Sequence, residues 1–343
     1  MIKILLITDK YFKEMGGSYE ATSSTAYQLI NNNYTVKLIF FDNGISKKKY
    51  DLFKIIKKFD IVHFFGCWSP NLIKIFIISK LLKKKFIITP MGALEPWSLS
   101  EKKIKKKIAL ILYQNKILAN SDIIHCTSED EERNIKVLNP NVNTVVIPHG
   151  IPQNFYQKKI CQFPKKRKAL FFSRIHKKKG IFEVIEAWKL LRPKNWEFHI
   201  FGPEGDQTFK TIKKFVKENN LSNDIYFHDP VFLKTEKKKI FLDHDILILY
   251  SKNENFGFSI LEALSNSLPV LTTSNVPWNS IKKYNAGWFI NENKEELKKT
   301  LKEIFEIKDD LISVKSRNAY ALANKYNWIN IMPKMDRMYK KLI

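Results

Sequence analysis

The sequence predicts an α/β protein of two doubly wound parallel-sheet domains, and three observations predict it. Short apolar runs alternate with helical patterns through the first half of the chain. A stretch bearing Pro and Gly then interrupts the alternation, and a second alternation of the same kind follows it. A length of 343 residues suits two domains, and a hydrophobic content of 44% is enough to give each its own core.

In the first half, Lys3–Thr8, Tyr34–Phe41, Asp60–Phe64, Phe86–Thr89, Ile123–Cys126 and Thr144–Ile147 read as strands. Continuous apolar strands separated by helices imply a parallel sheet covered on both faces. The pause from Pro148 to Pro164, with Gly150 and Pro152, reads as the linker. In the second half, Ala169–Ser173, Glu197–Phe201, Ile225–His228, Ile246–Tyr250, Val270–Thr273 and Gly287–Ile290 read as strands. The expected division is 1–160, 161–326 and a terminal helix over 327–343. That helix places Trp328, Ile331, Met332, Met335, Tyr339 and Leu342 on one face, with Pro333 as a kink point, and it is expected to pack back on the N-terminal domain.

Composition narrows the class further. No apolar run approaches the length of a bilayer span, and the opening Met1–Ile7 run is too short for a signal peptide. Cys67, Cys126 and Cys161 are scattered, without metal spacing, and read as reduced cysteines of a cytoplasmic protein. The net charge is +25, but only six of the 59 basic residues are Arg. Nucleic-acid readers lean on the planar guanidinium, so lysine in bulk argues against that partner. A basic binding protein for nucleic acid or membrane is the alternative from another class.

The strongest local feature is Glu254-Asn-Phe-Gly257-Phe-Ser-Ile-Leu-Glu262, which follows a strand and opens a helix. Gly257 at a helix start lets a ligand approach backbone N–H groups, which suit phosphate. Glu262, inside the helix between Leu261 and Ala263, suits a ribose diol, and Glu254 in the preceding loop is free to reach a second sugar. Arg174 emerges at the carboxyl edge of another strand, with Lys179 close behind. Fixed cations there stabilise a diphosphate leaving group. Gly16-Gly17 sits in the turn after the first strand.

These features resemble glycosyltransferase family 4, and the resemblance covers nearly the whole chain. Phe172-Ser-Arg-Ile-His-Lys-Lys-Lys-Gly180 resembles the family's phosphate segment, and Gly16-Gly17 its glycine-rich loop. Ile147-Pro-His-Gly-Ile151 resembles the entry to the second domain. Pro90–Trp97 and Thr127–Glu131 resemble stretches of the polysaccharide and O-antigen branches. The resemblance implies the GT-B fold, with two domains facing a cleft. It implies a retaining enzyme that moves a sugar from a nucleotide-sugar to a glycan or lipid-linked acceptor, in cell-surface polysaccharide or lipopolysaccharide synthesis. It also implies roles: Arg174 and Lys179 on the diphosphate, Glu262 on the ribose, and Glu254 with Phe256, Gly257 and Phe258 around the transferred sugar. Gly16 and Gly17 would border the donor phosphate and acceptor side. A GT-B epimerase keeps the fold and changes the reaction.

The sequence departs from the family at Met91 and Phe65, where His is frequent; His63 reads as a core histidine. The His residues show no paired metal spacing, and Asp243-His-Asp245 precedes a strand instead of following one. The expectation is transfer without a metal or other cofactor. Lastly, Lys102–Leu118 is a basic amphipathic pattern, with Ile104, Ile108, Ile111 and Leu112 on one face among crowded lysines. Such a helix lies on an anionic membrane, making the protein peripheral at the inner face, or is half-buried with a wet side.

Overall fold

The structure, a computed structural model, is described for residues 1–8, 17–41, 51–158 and 166–343. It divides into two units, Met1–Gly150 with Trp328–Ile343, and Ile151–Asn327. The division falls inside the expected linker but at 150/151, not at 160/161. The reason is packing: Ile151, Phe155 and Tyr156 join the second unit's core, and the Tyr156 hydroxyl donates to the Ala323 carbonyl at 2.6 Å.

The first unit carries β1 (Lys3–Thr8), β2 (Thr35–Phe40), β3 (Ile61–Phe65), β4 (Lys85–Thr89), β5 (Ile123–Cys126) and β6 (Thr144–Val146), in the order β2-β1-β3-β4-β5-β6 and all parallel. Strand alternation feeds two cores. Leu5, Ile7, Val62 and Phe64 fall in one, and Ile4, Leu6, Ile61 and Phe65 in the other. The terminal helix Trp328–Lys340 closes the second of these with Trp328, Ile331, Met332, Met335, Met338 and Tyr339. Its first indole N–H donates to Ser24 Oγ at 2.8 Å.

Tyr339 also ends a buried chain of hydrogen bonds that crosses three strands. Ile147 O can only accept, so His125 Nε2–H donates to it (2.8 Å) and His125 Nδ1 accepts from Thr89 (2.9 Å). Thr89 Oγ1 then accepts from His63 Nε2–H (2.7 Å), and His63 Nδ1 accepts from the Tyr339 hydroxyl (2.7 Å). His63 is thus a core histidine, as the sequence suggested. This order of donation is the one open to two neutral imidazoles, the form that burial favours. Burial pushes His63 well below its ordinary pKa, His125 to about 4 and neighbouring His149 to about 3.

A pH dependence follows. The unfolded chain protonates these groups near pH 6.5 and the folded chain does not, so their contribution is complete above that value. It falls as pH drops toward 4, by as much as ~4 kcal/mol per pH unit if all three respond. Glu131 opposes the trend at the acid end, because burial raises its carboxyl pKa and the folded state takes up that proton first. Urea unfolding at pH 7.5 and 5.0 should show a lower midpoint at 5.0; equal midpoints would contradict a neutral histidine chain.

The second unit carries β7 (Arg167–Phe172), β8 (Trp196–Phe201), β9 (Ile225–His228), β10 (Ile246–Leu249), β11 (Val270–Thr273) and β12 (Gly287–Ile290). Read across the sheet from β9, the order is β9-β8-β7-β10-β11-β12, all parallel. The chain winds outward in opposite directions from the central neighbours β7 and β10. A doubly wound sheet opens for ligand at the carboxyl ends of such a pair. No helix among the described residues is long and apolar enough to cross a membrane.

Candidate active site

The segments leaving β7 and β10 build the site, and glycines set how closely they approach. After β7, Ser173 N–H donates to Phe201 O, Ile175 N–H to Pro203 O and Gly205 N–H to Ile175 O. A Cβ on Gly202, at φ +153°, would lie 1.9 Å from Ser173 O, and one on Gly205 would lie 2.8 Å from Arg174 Cγ. The loop 202–205 therefore presses against the Arg174 backbone and stem. The Arg174 side chain is exposed, with no salt bridge among the described residues.

The chain then makes a tight helical turn, Lys177–Lys179. His176 Nδ1 accepts from Lys178 N–H at 3.0 Å, and Asp206 accepts from Lys177 N–H at 3.2 Å. Gly180 follows at φ +61°, where a Cβ would lie 2.0 Å from the Tyr250 carbonyl oxygen. Lys252 N–H and the Ser251 hydroxyl both donate to Lys178 O, at 2.8 and 3.3 Å. The turn is thereby stitched to the end of β10. The consequence is an ion pair between Lys179 and Glu254, whose side chains are only 12% and 11% exposed. Lys179 has three N–H donors, so this pair leaves donors over for an anionic ligand.

Gly257, at φ +78°, opens the helix Phe258–Ser265. The Trp278 indole N–H donates to Phe256 O, and the Phe256 ring is buried against Phe258, Trp278 and Tyr326. The Phe256 side chain is thus an anchor for the turn, and what this position offers a ligand is backbone. Glu262 is buried and meets Lys237 Nζ at 3.1 Å; that ammonium lies 5.7 Å from the Phe172 ring centroid. Both carboxylates of the motif therefore carry a lysine.

Arg174, Lys179, Glu254, Phe256, Gly257, Phe258 and Glu262 all lie on the two segments leaving β7 and β10. Gly17 is in the other unit, as the first residue of the helix Gly17–Asn31, and Gly16 lies outside the described residues. Lys237 and the Gly202–Gly205 loop were not singled out from sequence. Two of the chain's 11 glycines within four residues was the signal available for the loop.

Other expected features are placed as follows. In the first unit, Glu131 accepts from Gly92 N–H (2.8 Å), Thr127 N–H (2.8 Å) and the Thr127 hydroxyl (2.9 Å), joining the 90–97 and 127–131 stretches. Met91 sits at φ +59° in that turn. Asp243 and Asp245 are both tied to Lys168, through its ammonium and its backbone N–H. Cys67, half-buried, and Cys126, buried, are in no disulfide, and Cys161 lies outside the described residues.

Cations and carboxylates gather here at the switch point of a doubly wound sheet, where such sheets bind their ligands. The chain belongs to the family described as "Glycosyl transferases group 1", whose model matches residues 153–328, just over half the chain and nearly all of the second unit. Among curated relatives, it is 27% identical over 240 residues to the O-antigen biosynthesis glycosyltransferase WclY of Escherichia coli, covering 67% of this chain and 65% of that protein. The matches span less than two thirds of the length of most of the curated relatives. Among solved structures, a sucrose-phosphate synthase from Thermosynechococcus elongatus matches with TM-score 0.80 at 15% identity, over 100% of this chain and 99% of that one. Anabaena Alr3699/HepE, solved with UDP and glucose, matches with TM-score 0.77 at 15% identity, over 99% of this chain and 100% of that one. The fold is the GT-B type that the sequence led us to expect.

Proposed function

We propose that this protein is a retaining glycosyltransferase of family 4. It takes a nucleotide-sugar donor in the second unit and passes the sugar to a glycan or lipid-linked acceptor in cell-surface polysaccharide synthesis, working in the cytoplasm. One observation carries the reading: in the unit matched by the family, Arg174 and the pairs Lys179–Glu254 and Lys237–Glu262 stand on the elements that open the crevice between β7 and β10.

Charge dictates the roles. Breaking the sugar–phosphate bond leaves negative charge on the departing diphosphate. Arg174, the remaining Lys179 donors and the backbone at the Phe258–Ser265 helix start are cationic or dipolar groups fixed before the reaction begins. Glu262, paired with Lys237, supplies the carboxylate that accepts from the ribose hydroxyls. Glu254 orients Lys179 and borders the transferred sugar. The acceptor hydroxyl attacks on the face the diphosphate leaves, and the leaving phosphate oxygen takes its proton, so the anomeric configuration is kept.

With cations supplied by side chains, turnover should be unchanged by EDTA. Loss in EDTA with recovery in Mn²⁺ would contradict that division of labour. The reading itself is tested with purified protein, a panel of nucleotide-sugars and candidate acceptor glycans, following nucleoside diphosphate release and the product anomer by NMR. Acceptor-dependent release with a retained anomer is expected. An inverted product would remove the mechanism, and donor isomerisation without acceptor would favour an epimerase.

A further inference from the structure

We propose that the outward face of residues 102–114 is a docking surface for an anionic lipid bilayer. Ile104, Ile108, Ile111 and Leu112 are 77%, 51%, 65% and 64% exposed, at the spacing of one helix face. The half-buried alternative for this stripe therefore fails: these side chains point to solvent. Lys102, Lys103, Lys105 and Lys107 are exposed around them and form no salt bridge among the described residues. No acidic residue occurs between Lys102 and Asn120.

The opposite side of the segment is fixed to the first unit. Leu110 and Tyr113 pack against its core, and Gln114, Ile117 and Leu118 are buried. Lys106, the one lysine of the cluster turned inward, donates to Ser98 and lies 5.8 Å from the Trp68 ring centroid. Between the helices Lys103–Ala109 and Asn115–Asn120, the chain opens into a wide turn over Leu110–Gln114, with Asn115 N–H donating to Leu110 O. That turn keeps Leu110 and Tyr113 inward and leaves Ile111 and Leu112 side by side outside.

The chemistry of the face selects its occupant. A second copy would bring lysines against lysines. A nucleic acid would satisfy the lysines and leave four apolar side chains against a polar backbone. A bilayer with anionic headgroups meets both demands at once: phosphates for the lysine rim and acyl chains for the isoleucines.

The test is co-sedimentation of the full chain with phosphatidylcholine vesicles and with vesicles in which phosphatidylglycerol replaces about a third of the lipid. Binding to the anionic vesicles only is expected. The quadruple variant Ile104→Ser, Ile108→Ser, Ile111→Ser, Leu112→Ser should lose at least tenfold in partitioning while remaining folded, with only a small fall in melting temperature, because at least half of each side chain is exposed. Replacing Lys102, Lys103, Lys105 and Lys107 by Ala should lose about a hundredfold or more. The serine variant keeps all 59 basic residues, so undiminished binding by it would be generic attraction to a chain of charge +25 and would overturn the proposal. No binding by the wild type, equal binding to both vesicles, or self-association abolished by the serine variant would overturn it as well. None of these readouts uses a sugar donor, so they stand apart from the transferase reading.

Discussion

Arg174→Ala and Lys179→Ala are each expected to lower turnover at saturating donor by about 10²–10³-fold, the usual loss when one preorganised stabiliser of developing negative charge is removed. The two should differ in stability. Arg174 is exposed and forms no salt bridge among the described residues, so its removal should leave the melting temperature unchanged. Lys179 holds Glu254 in a nearly buried pair, and its removal strands a carboxylate at a cost of about 3 kcal/mol. Arg174→Lys should recover little if Arg174 meets the diphosphate as proposed, because a planar fork able to grip two phosphate oxygens is lost. Equal destabilisation by both alanine variants, or full turnover in either, would contradict these roles. Turnover and thermal melts on the same preparations separate the outcomes.

Gly180→Ala is expected to be one of the two most damaging methyl additions in the second unit's site. It combines φ +61° with a Cβ 2.0 Å from a backbone oxygen of β10's exit, which no side-chain rotation relieves. The turn must lift off β10, breaking both hydrogen bonds to Lys178 O and separating Lys179 from Glu254. The expected loss exceeds ~3 kcal/mol, with turnover reduced at least as far as in Lys179→Ala. Gly202→Ala, 1.9 Å from Ser173 O, should behave alike. Gly257→Ala should be milder: its nearest neighbour is the flexible end of Ile260, at 3.1 Å, and only the positive φ opposes it. Urea unfolding of the three variants ranks them, and Gly257→Ala as the worst would show that strain at the helix start governs this site.

The twelve strands were legible because parallel sheets buried on both faces require continuous apolar runs such as Ile4–Ile7 and Ile246–Leu249. The carboxylate pair was legible because Glu254, Gly257 and Glu262 lie within one strand–helix junction. Lys237 was not. It is one lysine among 53, and its partner lies 25 residues along the chain, so only the packing of its helix, Lys234–Asp243, against Phe258–Ser265 brings them together. The histidine chain was hidden for the same reason: His63, Thr89, His125 and Tyr339 meet only because β3, β4 and β5 are neighbours and the terminal helix returns to them. For residues 102–114, periodicity identified an apolar stripe but carried no information on which side faces the core. The linker was found, but not its assignment, because nothing local to Ile151–Tyr156 states which core those side chains enter.

The claim on which the rest depends is that the crevice between β7 and β10 holds a nucleotide-sugar by its diphosphate and ribose. Thermal unfolding of the wild type with a panel of UDP-, GDP- and other nucleotide-sugars at many times their dissociation constants tests it most directly. At least one should stabilise the protein by ~2–4 kcal/mol, and that gain should be absent in Arg174→Ala and Glu262→Gln. No stabilisation by any nucleotide-sugar, or an undiminished shift in both variants, would place the ligand elsewhere and contradict the account.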